Sequence, residues 1–143
     1  MGASVIAYWP GIKESQVESQ PGFYNDDKAW GNWTVEREDE PEVLDAIKIL
    51  EAEAILTCTT DGMDDEDVEW VSPGQLREAA RKLRDAIKDK RPEVDVILEA
   101  YARNANGIDP VEKEFIQDLD DIEALANWAE AEGADRMTLE VNW

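Results

Sequence analysis

Seven of the fourteen basic residues of this chain, Arg77, Arg81, Lys82, Arg84, Lys88, Lys90 and Arg91, fall in one short span. Thirty-five acids run through the whole sequence, and the formal net charge is −21. A chain this charged repels itself when it compacts, so any fold must set its few bases against its acids. By segment, the net charge is −5 over residues 1–40, −9 over 41–71, +2 over 72–103 and −9 over 104–143. The expectation is that the basic segment lies beside the acidic ones and neutralises them internally. An anion-binding strip of Arg77, Arg81 and Lys88 is the competing use of the same residues, and the surrounding negative field works against it.

Folding itself is not in doubt, because 43% of the residues are hydrophobic and six are tryptophan, too many for a disordered acidic tail. At 143 residues the chain is long enough for one well-filled core, and residues 1–143 read as a single domain with no linker or internal repeat. The charge repels phosphate, so nucleic acid and anionic membranes are poor partners. A basic protein or a divalent cation suits it. So does a bland reading in which the acidity serves solubility or a salt-rich solvent. Cys58 is the lone cysteine, so no internal disulfide can form, and it is expected as a small buried side chain. The N-terminal stretch has no basic leader, its apolar run spans only residues 5–9, and "MGASVI" has Ile6 where the myristoylation pattern wants Ser or Thr. A cytoplasmic location is the default expectation.

Periodicity then places the elements. Residues 3–9 (ASVIAYW) are β-branched and aromatic, apolar on both faces, and read as a central strand stopped by Pro10-Gly11. Residues 13–33 are rich in turn formers, with a second short strand possible over 32–37. Pro41 opens a helix with Val43, Ile47, Leu50 and Ala54 on one face. Residues 54–60 (AILTCTT) read as a strand that pairs, across an acidic turn, with 68–71. Ser72-Pro73-Gly74-Gln75 is a capping box, with Val71 and Leu76 at staple spacing, and predicts a helix to about Lys90. Pro92 opens another helix that ends near Asn106-Gly107. Val111, Phe115, Leu119, Ile122, Leu125, Ala126 and Ala129 step by threes and fours along the longest helix, with Gly133 as its stop. Met137, Leu139, Val141 and Trp143 alternate with Thr138, Glu140 and Asn142, which is a half-buried strand. The fold class is α+β: a small mainly antiparallel or mixed sheet with about four helices packed on it.

Absences narrow the chemistry. There is no histidine, so Ser-His-Asp and Cys-His catalysis and His-ligated zinc are excluded. No G-x-G-x-x-G or Walker-type loop is present. An EF-hand fails in both registers. With Gly62 as the sixth position, Thr57 is the first and Val68 the twelfth; with Gly107 there, they are Ala102 and Lys113. Acids are so numerous that two being near each other identifies no catalytic pair. Clustered carboxylates over Asp61 to Asp67 leave a non-EF calcium or magnesium site open, and no catalytic residue, cofactor or metal ligand is assigned.

Two stretches stand out. "TTDGMDDEDVEW" holds Asp61, Asp64, Asp65, Glu66, Asp67 and Glu69 with Trp70 at its end. "GFYNDDKAWGNW" sets Asp26 and Asp27 beside Trp30 and Trp33. Tryptophan is a favoured interface anchor, and carboxylates beside it select partners rich in Lys and Arg. Asp118, Asp120 and Asp121 form a third cluster, read as the solvated face of the long helix. Small size, acidity and acidic-aromatic loops resemble, in style rather than in motif, inhibitors of basic proteins such as immunity proteins and protein mimics of DNA. The leading expectation is an acidic module that neutralises or regulates a basic protein. The alternatives are a small carboxylate-based enzyme or metal- or ligand-binding domain, and a housekeeping domain with a solvent-adapted surface.

Overall fold

The computed structural model describes residues 3–21, 24–25, 39–60, 63–105 and 111–142. It is a mixed α+β fold, as the patterning predicts. Four strands, β1 (Ala3–Tyr8), β2 (Tyr24–Asn25), β3 (Thr59–Thr60) and β4 (Thr138–Asn142), form a sheet of order β2-β1-β4-β3. The described α-helices are α1 (Glu14–Glu18), α2 (Pro41–Ile49), α3 (Pro73–Lys88), α4 (Pro92–Ala105) and α5 (Val111–Ala131). The short α1 lies within a stretch expected to be irregular.

β1 is central. It runs antiparallel to β4, with Val5 opposite Val141 and Ala7 opposite Leu139, and these four side chains are buried on one face. Beyond the two-residue β2, the Gln20 side chain takes over the role of a neighbouring strand. Its amide accepts from the Ala7 N–H and donates to the Ala7 carbonyl, each at 2.8 Å. This satisfies backbone groups that would otherwise lack a strand partner.

α3 and α5 form the most extensive helix contact, and α4 packs on both. The predicted inner faces are correct: Leu76, Ala80, Leu83 and Ile87 of α3 and Phe115, Leu119, Ile122, Leu125, Ala126 and Ala129 of α5 are all buried. Trp9 lies against Trp128, rings 5.4 Å apart, tying β1 to α5. The capping box at the start of α3 is complete: Ser72 Oγ accepts from Gln75 N–H at 3.1 Å, and Gln75 Oε1 accepts from Ser72 N–H at 2.8 Å.

The electrostatic expectation is met along the same seam. Arg77 bonds Glu130 at 2.6 Å and Asn127 at 2.7 Å, and Arg84 bonds both Asp120, at 2.6 Å, and Glu123. Burial opposes the charge on Arg84, and its two carboxylates more than offset this, so its pKa is raised. The apolar stripe and the ion pairs therefore bind the same two helices.

Three local readings need correction. The hairpin between residues 54–60 and 68–71 does not form. Glu53–Leu56 is a 3-10 turn, which buries both Ile55 and Leu56; a strand would send these neighbours to opposite faces. Only Thr59–Thr60 is strand, and it pairs with β4 in parallel, while Val71 bridges Met137. Cys58 is half-buried rather than buried. The helix from Pro41 stops at Ile49, short of Ala54, because Glu51 takes a left-handed backbone (φ 57°) and Ala52 N–H closes on the Ile47 carbonyl at 3.1 Å. The possible strand at 32–37 lies outside the described residues.

Lys90 ends α3 in the same left-handed geometry, at φ 54°. Glycine adopts this conformation without the Cβ clash that penalises lysine. Relief of the left-handed penalty, about 1–2 kcal/mol, less the entropic cost of glycine, about 0.5–1 kcal/mol, means that Lys90→Gly is expected to stabilise the protein by about 0.5–1 kcal/mol in urea unfolding. Destabilisation would show that the lysine side chain, not the backbone, matters there.

Candidate functional site

The acidic stretch is held by one buried threonine. Thr57 is 1% exposed; its hydroxyl donates to the Glu69 carbonyl at 2.7 Å and lies 2.8 Å from the Thr138 hydroxyl. Thr138, expected on the wetter face of its strand, is fully buried by this contact. Val68 is also buried, so the turn is pinned on one side while its carboxylates face out.

Between these anchors, Asp65–Asp67 makes one turn of 3-10 helix. Asp64, Asp65, Glu66, Asp67 and Glu69 are all exposed. Among the described residues, none of the five forms a salt bridge. Trp70 closes the turn. Its indole N–H donates to the Asp65 carbonyl at 3.3 Å, its ring lies 6.0 Å from that of Tyr8, and the Arg136 guanidinium sits 4.9 Å from its centroid. Burial, then the charges of Asp65 and Glu140 and the Asp65 hydrogen bond, raise the pKa of Tyr8, so the phenol stays protonated at neutral pH.

A groove of about 560 Å³ opens beside this ridge. Ala54, Val71 and Ala79 supply apolar lining, Trp70 an aromatic wall, and Glu51, Glu53, Glu69 and Glu78 the carboxylates. Lys82 also lines it, 3.6 Å from the Glu51 carboxylate, and Glu78 is paired with Arg81 at 3.2 Å. Among the described residues, Glu53 and Glu69 have no such partner. The groove therefore offers a negative, partly apolar surface of the kind along which a long cationic side chain can lay its stem.

The structure thus brings Asp64, Asp65, Glu66, Asp67, Glu69 and Trp70 together on one ridge. Asp61, Asp26, Asp27, Trp30 and Trp33 lie outside the described residues. The third cluster needs correction at one member. Asp120 stays exposed while bonding Arg84, and Asp121 is half-buried beside Gln117, but Asp118 is only 6% exposed inside the α4–α5 contact. Sequence reasoning missed Thr57, Tyr8, Arg136, Glu51, Glu53 and Glu78. The predicted hairpin hid Thr57, and the others come from separate elements that only the tertiary fold joins. Among the described residues, no group of three or more cysteine or acidic side chains is placed to hold a metal ion, and no helix is long and apolar enough to cross a membrane.

No protein-family model, curated protein or solved structure matches this chain.

Replacing Thr57 with valine keeps the shape and removes the hydroxyl, leaving the Glu69 carbonyl and the Thr138 hydroxyl each short of a buried partner. The expected loss is about 1–3 kcal/mol by urea unfolding. Unchanged stability would mean that the ridge is not held by this contact.

Proposed function

We propose that this chain is an acidic protein-binding module that neutralises or regulates a basic protein partner. One observation carries the reading: the principal arginines of the basic helix are engaged by α5, while the carboxylates of residues 64–69 carry no ion pair among the described residues. An uncompensated row of charge beside a tryptophan-walled groove suits a partner surface rich in lysine and arginine. Its field would speed encounter with such a surface. On docking, a lysine or arginine would lay its aliphatic stem along Trp70 and Val71 and bring its charge to Glu53 and Glu69. The narrower form of the proposal is an inhibitor of the immunity-protein or DNA-mimic kind, which blocks a basic protein by covering the surface it uses for phosphate.

Proteins from the source cell would be captured on the immobilised chain at about 0.1 M and about 1 M salt, where screening differs severalfold in length. The expected outcome is a basic protein retained at low salt and weakened at high salt. Converting Asp64, Asp67 and Glu69 to their amides should reduce its affinity at low salt by about tenfold or more. A partner that binds the amide variant as well as the wild type would remove the ridge from the interface. Capture of no basic protein would overturn the reading.

A further inference from the structure

Asp118 projects from the middle of α5 into the contact with α4. It is 6% exposed, and the buried Tyr101 hydroxyl donates to its carboxylate. Phe115 stands edge-on to the Tyr101 ring, centroids 5.0 Å apart at 87°, so the pair sits against aromatic surface. A buried carboxylate ordinarily requires a cation or several donors. Among the described residues Asp118 has no salt bridge.

Of the groups that act on it, the charged ones disfavour the ionised form and one hydrogen bond favours it. On its own helix the influences are Glu114 and Asp121, both acidic. α4 contributes Tyr101, whose hydrogen bond favours the carboxylate. The arginines that α3 turns toward α5, Arg77 and Arg84, are held by Glu130, Asp120 and Glu123. The titratable group of β1, Tyr8, lies beside Asp65 and Glu140 instead.

We propose that buried Asp118 makes the α4–α5 contact proton-sensitive: the contact is tightest when Asp118 is a neutral carboxyl and is weakened by the cost of burying charge when it ionises, a cost that the Tyr101 hydrogen bond offsets only in part. Burial first, then the charges of Asp121 and Glu114, against the opposing Tyr101 bond, raise the Asp118 pKa to about 7. An unfolded aspartate titrates near 3.9, at about the ordinary value. The folded state therefore holds this proton more tightly than the unfolded state does. The resulting stability is fully present below the unfolded value and is lost as pH rises through the folded one. This is the reverse of the usual surface aspartate, and the loss accumulates between the unfolded value, about 4, and the folded one, about 7.

Carbon-detected NMR titration of the full chain tests this directly, with the Asp118 carboxyl signal assigned in the wild type by through-bond correlation to its own backbone. The expected midpoint is near neutral; a midpoint in the ordinary carboxylate range, about 4, overturns the proposal. Tyr101→Phe removes a bond that favours the charged form, so the midpoint should move upward; no movement, or movement downward, overturns the pairing. The ratio of the wild-type to the Asp118→Asn unfolding constant should rise by up to about tenfold per pH unit between the unfolded and folded midpoints. A ratio independent of pH there contradicts the proposal, and the wild-type titration decides the matter even if a variant fails to fold.

Discussion

The contact between α3 and α5 is the constraint on which the rest of the molecule depends. A chain with a net charge of −21 must find a way to let its acidic segments lie close together. It does so by placing the basic helix α3 against the acidic helix α5, the longest among the described residues. The apolar stripes of the two helices bury each other, and Arg77 and Arg84 reach across to Asn127, Glu130, Asp120 and Glu123 at the rim of that stripe. Each partly exposed ion pair is worth only about 0.2–1 kcal/mol. Their larger effect is to remove the repulsion that would otherwise oppose a packing driven by hydrophobic burial.

That arrangement has a consequence for the surface. Bases committed to the seam are not available elsewhere, and the ridge from Asp64 to Glu69 carries its charge without relief from them. The ridge does not hang loose. Thr57 ties its end to the sheet through Glu69 and Thr138, Val68 is buried beneath it, and Trp70 folds back on Asp65. A fixed array of carboxylates costs a partner less ordering than a mobile one, which is why the pinning and the charge belong to one reading. Asp118 extends the same theme inside the molecule: its carboxyl is buried without a cation among the described residues, so protonation takes the place of an ion pair.

Much of the fold was legible because single residues and short periods carry it. The Ser72–Gln75 box, the three-four stepping of α5 and the alternation of Met137, Leu139 and Val141 each act within a few residues of chain. What was not legible depends on distant partners. Residues 54–60 have the composition of a strand, yet Ile55 and Leu56 must both be buried, and only a 3-10 turn does this. The end of α2 carries no glycine signal, because Glu51 itself takes the left-handed geometry. In the candidate site, the exposed acids were visible as a run. Asp118 was misread for the same reason that the run was visible: its neighbours in sequence are acidic and solvent-facing, and only the packing of α4 shows that one of the three turns inward.

We propose a division of labour among the acids: those at the seam hold the fold, and those on the ridge serve a partner. Unfolding free energies at low salt separate the two groups most directly. Neutralising the seam with Asp120→Asn and Glu123→Gln should destabilise the chain. Neutralising the ridge with Asp64→Asn, Glu66→Gln and Asp67→Asn should stabilise it, by about a few tenths of a kcal/mol per charge, and the gain should fade in about 1 M salt. If instead the ridge variant loses stability as the seam variant does, the ridge carboxylates are already engaged within the fold and carry no surplus charge for a partner.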